Sequence, residues 1–323
     1  SILILGAGEL GMAMLRAFSM RNEPSWEITV LLRPETANLP QQAPKIAPIY
    51  ALPGDVKILP CDLLESSQSE LASEFKRFDV IVGCTGYDQN SAGTGAGLQR
   101  KIANAVLEAE TVKLYLPWQF GVEYDLFGHG DAGGLFDEQK DIRKLLREAV
   151  ASGRTKTEWI IVSTGIFMSY LFSSFWGVVT RSDNGDGWVV NALGSWDVST
   201  TVTTPEDIGT ATAEIVYTAL TDTPEGNELK NRAVYIAGDT VSYAQLINIV
   251  RDATGQPTRK GEELKIPLLE ERMKQKPEDI LNKYRVAFGR GKGVSWDKAS
   301  TFTHKHGISV QDARSWAADH LRA

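Results

Sequence analysis

Cysteine and histidine are scarce in this chain of 323 residues, which holds two cysteines and four histidines. Cys61 and Cys84 make neither a disulfide framework nor a metal pattern, and each sits at or just after an expected strand, as a buried thiol in a reducing compartment would. His129, His304, His306 and His320 are scattered, and nothing beside the His304–His306 pair completes a zinc set, so no metal site is expected. Basic charge is not in excess: 34 Lys and Arg against 41 Asp and Glu give a net charge of −7. That excludes the basic face a nucleic-acid partner requires. No apolar run approaches the roughly 20 residues that span a bilayer. No charged segment leads into an apolar leader, so a cytoplasmic protein without a membrane partner is expected. There is no repeat and no low-complexity tether. What is present is an ordinary globular composition, 42% hydrophobic and 23% charged, with enough length for an α/β domain and a second lobe.

Short apolar runs alternate with helical stretches. ILILG (2–6) ends in glycine and reads as a buried parallel strand, followed by a helix over about 9–21. ITVLLR (28–33), VKILPCD (56–62), DVIVGCTG (79–86), VKLYLPW (112–118) and EWIIVSTG (158–165) are five further strands. Helices are expected at about 95–110 and 135–151. This rhythm implies a parallel sheet with right-handed crossovers, a doubly wound α/β fold of the Rossmann type. After Gly165 the rhythm breaks. IFMSYLFSSFWG (166–177) is aromatic, SDNGDG (182–187) is a turn cluster, and WVVNALG is a short strand. The stretch 203–220 reads as a helix, with a threonine cap, Pro205 in its first turn and acids behind it. A strand at 233–238 and a helix at 242–255 follow, and 257–323 reads as charged helix and loop. Residues 1–164, with 203–238, are expected to form a nucleotide-binding domain. Residues 165–202 and 239–323 are expected to form a smaller, interwoven carboxyl-terminal lobe.

GAGELG (6–11) is a G-x-G-x-x-G turn between a strand and a helix, the context its mechanism requires. Gly6 permits the tight turn, Gly8 lets the backbone approach a pyrophosphate, and Gly11 lets the helix pack closely. The N–H groups at the helix start, around Glu9 and Leu10, then face phosphates. An acidic residue about 20 positions on would select NAD. Here Arg33 stands 22 residues after Gly11. A guanidinium suits a 2′-phosphate, so NADP(H) is the expected cofactor. Lys45 is a second cation in the following irregular loop. Gly83, Cys84, Thr85 and Gly86 end the fourth strand on the side where open α/β sheets bind ligands, and would line the cofactor riboses.

The order GAGELG, VLLR, VGCTG, LPWQFGVEYD, FDEQKDIRKLL, EWIIVSTGIF and TTPEDIG resembles the NmrA-like and isoflavone-reductase-like group of atypical short-chain dehydrogenases over about 1–240. The resemblance implies an NADPH-binding Rossmann domain and a smaller carboxyl-terminal lobe that closes over the substrate. It places Pro117 and Phe120 at the cofactor, with Phe120 against the nicotinamide, and Trp118 and Gln119 at the substrate, where the reductase branch reads roughly P-S-E-F-G. The Tyr-x-x-x-Lys pair of ordinary short-chain dehydrogenases is absent after strand five. The reductase branch instead carries a lysine in F-x-x-K-x-x-[IV]-R-[RK], and that slot holds Gln139. Lys140 follows one residue later, about 100° around a helix. An amide cannot donate and recover a proton as an ammonium can. The candidate proton handlers are therefore Tyr124, Lys140, Glu123 and Asp125, with solvated or packing roles as their alternatives. Phe167, Met168, Tyr170 and Phe172 supply an aromatic and thioether wall that is either core or substrate pocket.

NADPH-dependent reduction of a hydrophobic aromatic or alkaloid-like molecule, in secondary metabolism by resemblance, is the expected function. One alternative keeps the bound NADP(H) but catalyses a non-redox cyclisation or isomerisation, such as C–C bond formation at an iminium. Another is an NmrA-like redox-sensing regulator. A homodimer is compatible with either enzyme reading.

Overall fold

The computed structural model describes residues 1–21, 23, 26–86 and 97–321. Its strands are β1 (Ile2–Leu5), β2 (Ile28–Leu32), β3 (Lys57–Pro60), β4 (Val80–Gly83), β5 (Leu114–Leu116), β6 (Glu158–Ser163), β7 (Ile166–Phe167), β8 (Val179–Arg181), β9 (Trp188–Leu193), β10 (Ser199–Thr203), β11 (Arg232–Tyr235), β12 (Asp239–Ser242) and β13 (Thr258–Leu264). The expected start of the helix after β4, at 95–96, lies outside the described residues; the helix is seen from Leu98 to Ala109.

The chain divides into two compact units. The first comprises 1–119, 138–162 and 208–234. Its seven-stranded sheet runs β11-β6-β5-β4-β1-β2-β3, and β1 pairs in parallel with both β2 and β4. The strand order therefore reverses beside β1, the topological switch point of a Rossmann sheet. Helices flank the sheet. β1, β2 and β4 are buried along their whole length, which is why they read as continuous apolar runs and not as alternating ones. Leu3, Leu5, Ile81, Tyr115, Trp159 and Ile161 pack with Ile102, Val106, Ile142 and Leu146 in one core cluster. The helix Pro205–Leu220 begins as its sequence predicts: the Thr204 hydroxyl accepts a hydrogen bond from the Asp207 N–H at 3.1 Å. Its Gly209 packs against the helix Glu9–Met20, where a Cβ would stand 2.6 Å from the Ala13 carbonyl oxygen. That close approach ties the returning segment into the first unit.

The second unit comprises 120–137, 163–207 and 235–323. It carries two three-stranded sheets, β12-β10-β7 and β13-β9-β8. Here the sequence reading omits β8, β10 and β12, and misleads in two further places. The tail beyond 257 contains β13, parallel to β9, with an irregularity between Lys260 and Glu263. β13 is an edge strand whose TRKGEEL residues are exposed or half-buried except Leu264, so it carries no apolar signal, as edges protected against further pairing often do not. The aromatic stretch at 166 opens with a two-residue strand, β7, parallel to β10. Among the described residues no helix is long and apolar enough to cross a membrane.

Candidate functional site

A cavity of about 730 Å³ lies in the first unit at the carboxyl ends of β1 to β4. Gly6, Ala7 and Gly8 come from the turn after β1, Leu31 and Leu32 from β2 and Arg33 from just beyond it, Cys61 and Asp62 from beyond β3, and Cys84 and Thr85 from beyond β4. It lies at the switch point. The turn is made possible by Gly6, whose φ of +96° is strained for any side chain. Gly11 has no room for one either: a Cβ there would stand 2.1 Å from the Gly6 carbonyl oxygen. Gly8 differs. A Cβ on it would meet nothing within 4 Å, because it faces the open cavity at the start of the helix Glu9–Met20, where it accepts a hydrogen bond from the Met12 N–H at 2.8 Å. The first N–H groups of a helix have no intrahelical acceptor and form an anion cradle. Leu10 is buried beneath the turn, whereas Glu9 is exposed.

Arg33 is exposed at the end of β2 and lines the cavity. Lys45, which the irregular loop left unplaced, lines the same cavity, as does Thr36. Asp62 also lines the cavity, and its Oδ1 accepts the Leu64 N–H at 2.8 Å and the Glu65 N–H at 3.2 Å. Cys61 is half-buried and not a core thiol, since it reaches the cavity wall. Cys84 is buried, and burial pushes its thiol pKa well up. Gly83 is required by close packing, for a Cβ would stand 2.8 Å from the Trp118 nitrogen. Gly86 carries a φ of +72° and a Cβ on it would meet nothing.

Beyond β5, Pro117 and Gln119 are buried, Trp118 half-buried. Gln119 donates through Nε2 to the Gln139 carbonyl at 2.9 Å and accepts from Arg143 Nε at 2.9 Å. Both partners lie on the helix Asp137–Ala151. The rotation between neighbouring residues is visible in burial: Gln139 is 2% exposed, whereas Lys140 is half-buried. The Gln139 amide oxygen is enclosed without a hydrogen-bond partner among the described residues. Glu138 accepts the Arg100 N–H at 3.1 Å. Burial raises its pKa, and the N–H groups of Arg100 and Gln99 lower it in part. Sequence reading missed Arg143, Glu138 and Gln99. For Arg143 a signal existed: it falls on the buried stripe of Gln139, Ile142, Leu146 and Ala149, spaced as a helix face requires.

In the second unit Phe120 is half-buried and Asp125 exposed. Tyr124 is 6% exposed. Its ring meets Phe136 edge-on at 5.1 Å, and its hydroxyl lies against Gly121, where a Cβ would stand 2.4 Å from it. Glu123 is buried, with Oε1 accepting the Asp125 N–H at 3.0 Å and Oε2 accepting the Tyr235 hydroxyl. Met168 and Phe172 are buried, Phe172 stacked on Trp316 at 5.2 Å. Phe167 and Tyr170 form a ring contact at 5.5 Å, and Tyr170 meets Phe175 at 5.7 Å. Tyr170 is 42% and Phe175 53% exposed, so this ladder of rings faces outward.

Residues 1–289 match the model of the NmrA-like family. An "NmrA-like family domain-containing oxidoreductase" of Gibberella moniliformis is 40% identical over 99% of this chain and 97% of its own length. The chain belongs to the NmrA-like family. A phenylcoumaran benzylic ether reductase of Ginkgo biloba is 25% identical over 80% of this chain and 76% of its own. Among solved structures, one from a study of pinoresinol-lariciresinol and phenylcoumaran benzylic ether reductases superposes with a TM-score of 0.76 at 20% identity, covering 99% of this chain and 98% of the other. The NADPH complex of a quinone oxidoreductase from Escherichia coli gives 0.70 at 19% identity, covering 99% of each chain. These structural likenesses establish the fold.

Within this NmrA-like fold the glycines separate ligand space from packing space. Gly8→Val is expected to leave the thermal melt near that of the wild type and to abolish NADPH binding in calorimetry, because its side chain enters only the cavity. Gly11→Val is expected to lower the melting temperature sharply, because it meets backbone. Retained micromolar binding by a folded Gly8→Val chain would mean that the turn is not the cradle.

Proposed function

We propose that this protein is an NADPH-dependent reductase of a flat, hydrophobic aromatic molecule. The observation that carries the reading is the cavity itself: a glycine turn with open space at Gly8, and Arg33 and Lys45 lining the same wall. The residues fit a 2′-phosphorylated dinucleotide. The turn and helix start would hold the pyrophosphate, Arg33 and Lys45 the 2′-phosphate. When bound, the cofactor supplies the hydride; the protein positions the substrate and governs protonation. The oxidoreductase name of the fungal relative and the NADPH complexes among the structural neighbours support the same reading. The outward ladder of Phe167, Tyr170 and Phe175 supports an aromatic substrate, since rings of this kind pair by edge-on and offset contacts. The phenylcoumaran benzylic ether reductases among the relatives support a place in secondary metabolism.

The amide at 139 favours a second reading, in which NADP(H) is bound without turnover and the protein directs a cyclisation or isomerisation. NADPH consumption measured beside product formation separates the two: oxidation coupled to product supports reduction, and product without it supports the second reading.

Losing a charge-assisted hydrogen bond costs about 1.5–3 kcal/mol. Arg33→Ala is therefore expected to weaken NADPH about tenfold or more and to leave NADH almost unchanged. Equal losses for both cofactors would remove Arg33 from the 2′-phosphate.

No lysine on the helix Asp137–Ala151 is expected to act as an obligatory acid. In single turnover with an aromatic substrate, Lys140→Met should slow reduction by less than about tenfold, where loss of a true general acid costs about 10²–10⁴. Tyr124→Phe should be the more damaging change, since the hydroxyl it removes stands against the Gly121 turn. A loss above about a hundredfold in Lys140→Met, with NADPH affinity intact, would restore a lysine acid one residue from the reductase position.

A further inference from the structure

Thr85 is one of the few hydroxyls on the cavity wall, and its oxygen is held by a side chain that sequence reading did not single out. Gln99, in the first turn of the helix Leu98–Ala109, is 5% exposed and belongs to the buried face with Ile102, Ala103 and Val106. Its Nε2 lies 2.8 Å from Thr85 Oγ1. A polar group on such a face needs a partner, and Thr85 is the partner. An amide nitrogen can only donate, whereas a hydroxyl has one proton and two acceptor lone pairs. In this contact the Thr85 oxygen is therefore the acceptor, and its own proton must point elsewhere.

The first turn that carries Gln99 is itself fixed. The N–H groups of Gln99 and Arg100 donate to Glu138, and the Arg100 guanidinium pairs with Asp141 at 2.5 Å. Two carboxylates of the helix Asp137–Ala151 thus hold the turn that holds the amide.

We propose that Gln99 is a positioning residue that turns the Thr85 hydroxyl into an oriented donor, aimed at an acceptor oxygen of the cofactor, phosphate or ribose, in the cavity. This rests on the cofactor reading above. Thr85 makes the ligand contact, and Gln99 acts through it. Without Gln99 the hydroxyl is free to rotate and to accept instead of donate.

The test is a double-mutant cycle read in NADPH dissociation constants, with melting temperatures measured without ligand. Thr85→Val keeps the shape and deletes the hydroxyl, and is expected to weaken NADPH about fivefold to tenfold, the worth of one hydrogen bond. Thr85→Ser should bind like the wild type. Gln99→Leu is expected to weaken binding at least about threefold, and the double variant no more than Thr85→Val alone, because the two side chains act as one unit. Gln99→Met gives the same readout if leucine destabilises the helix. A double variant that loses the product of the two single losses would overturn the inference, as would a Gln99 variant with wild-type affinity. Absence of NADPH binding by the wild-type chain would overturn the cofactor reading and this inference with it.

Discussion

A helix that starts only four residues after a strand ends must turn the backbone within a space that no side chain can share. Gly11 against the Gly6 carbonyl is that constraint, with a Cβ barred at 2.1 Å. It presses the helix Glu9–Met20 onto the turn, so the helix's first N–H groups are presented at the carboxyl edge of the sheet. The reversal of strand order between β1 and β4 then leaves a gap at this edge, and the gap becomes the cavity. Arg33, Lys45 and Thr85 have meaning as a ligand site only because that turn sets where an anion can sit.

The charged stretch FDEQKDIR (136–143) belongs to this scaffold more than its composition suggests. Glu138 and Asp141 hold the start of the helix Leu98–Ala109. Gln139 accepts from Gln119 through its carbonyl, and Arg143, fully buried, donates to the same glutamine. These bonds lock the end of β5 to a helix by polar contacts within an otherwise apolar packing. Such contacts are costly to break, because a group left without its partner keeps its desolvation penalty. Lys140 lies off this face, half-buried.

The sheet and the glycine turn were legible in the sequence because both depend on local signals. Buried parallel strands leave continuous apolar runs, and GAGELG states its own geometry through three glycines. Arg33 was legible for the same reason, since its distance from the turn is set by one helix and one strand. What escaped detection depended on distant partners. Gln99 looks like any glutamine at a helix start until Thr85 is beside it. Lys45 was legible as a second cation but not its place, because its loop lacks periodicity and only the fold brings it to the cavity that Arg33 lines. β13 was hidden because an edge strand of charged residues has no apolar alternation to read. The thiol of Cys61 reads as core from its neighbours in sequence, yet the strand end carries it to the cavity wall.

The central claim is that the cavity beside β1 binds a 2′-phosphorylated adenine nucleotide. Calorimetric titration of the wild-type chain with 2′,5′-ADP and with 5′-AMP tests it without any substrate. Two cations at one phosphate predict that 2′,5′-ADP binds at least about tenfold more tightly, with the difference shrinking as salt screens the charges. Equal affinity for the two nucleotides at low salt would contradict it.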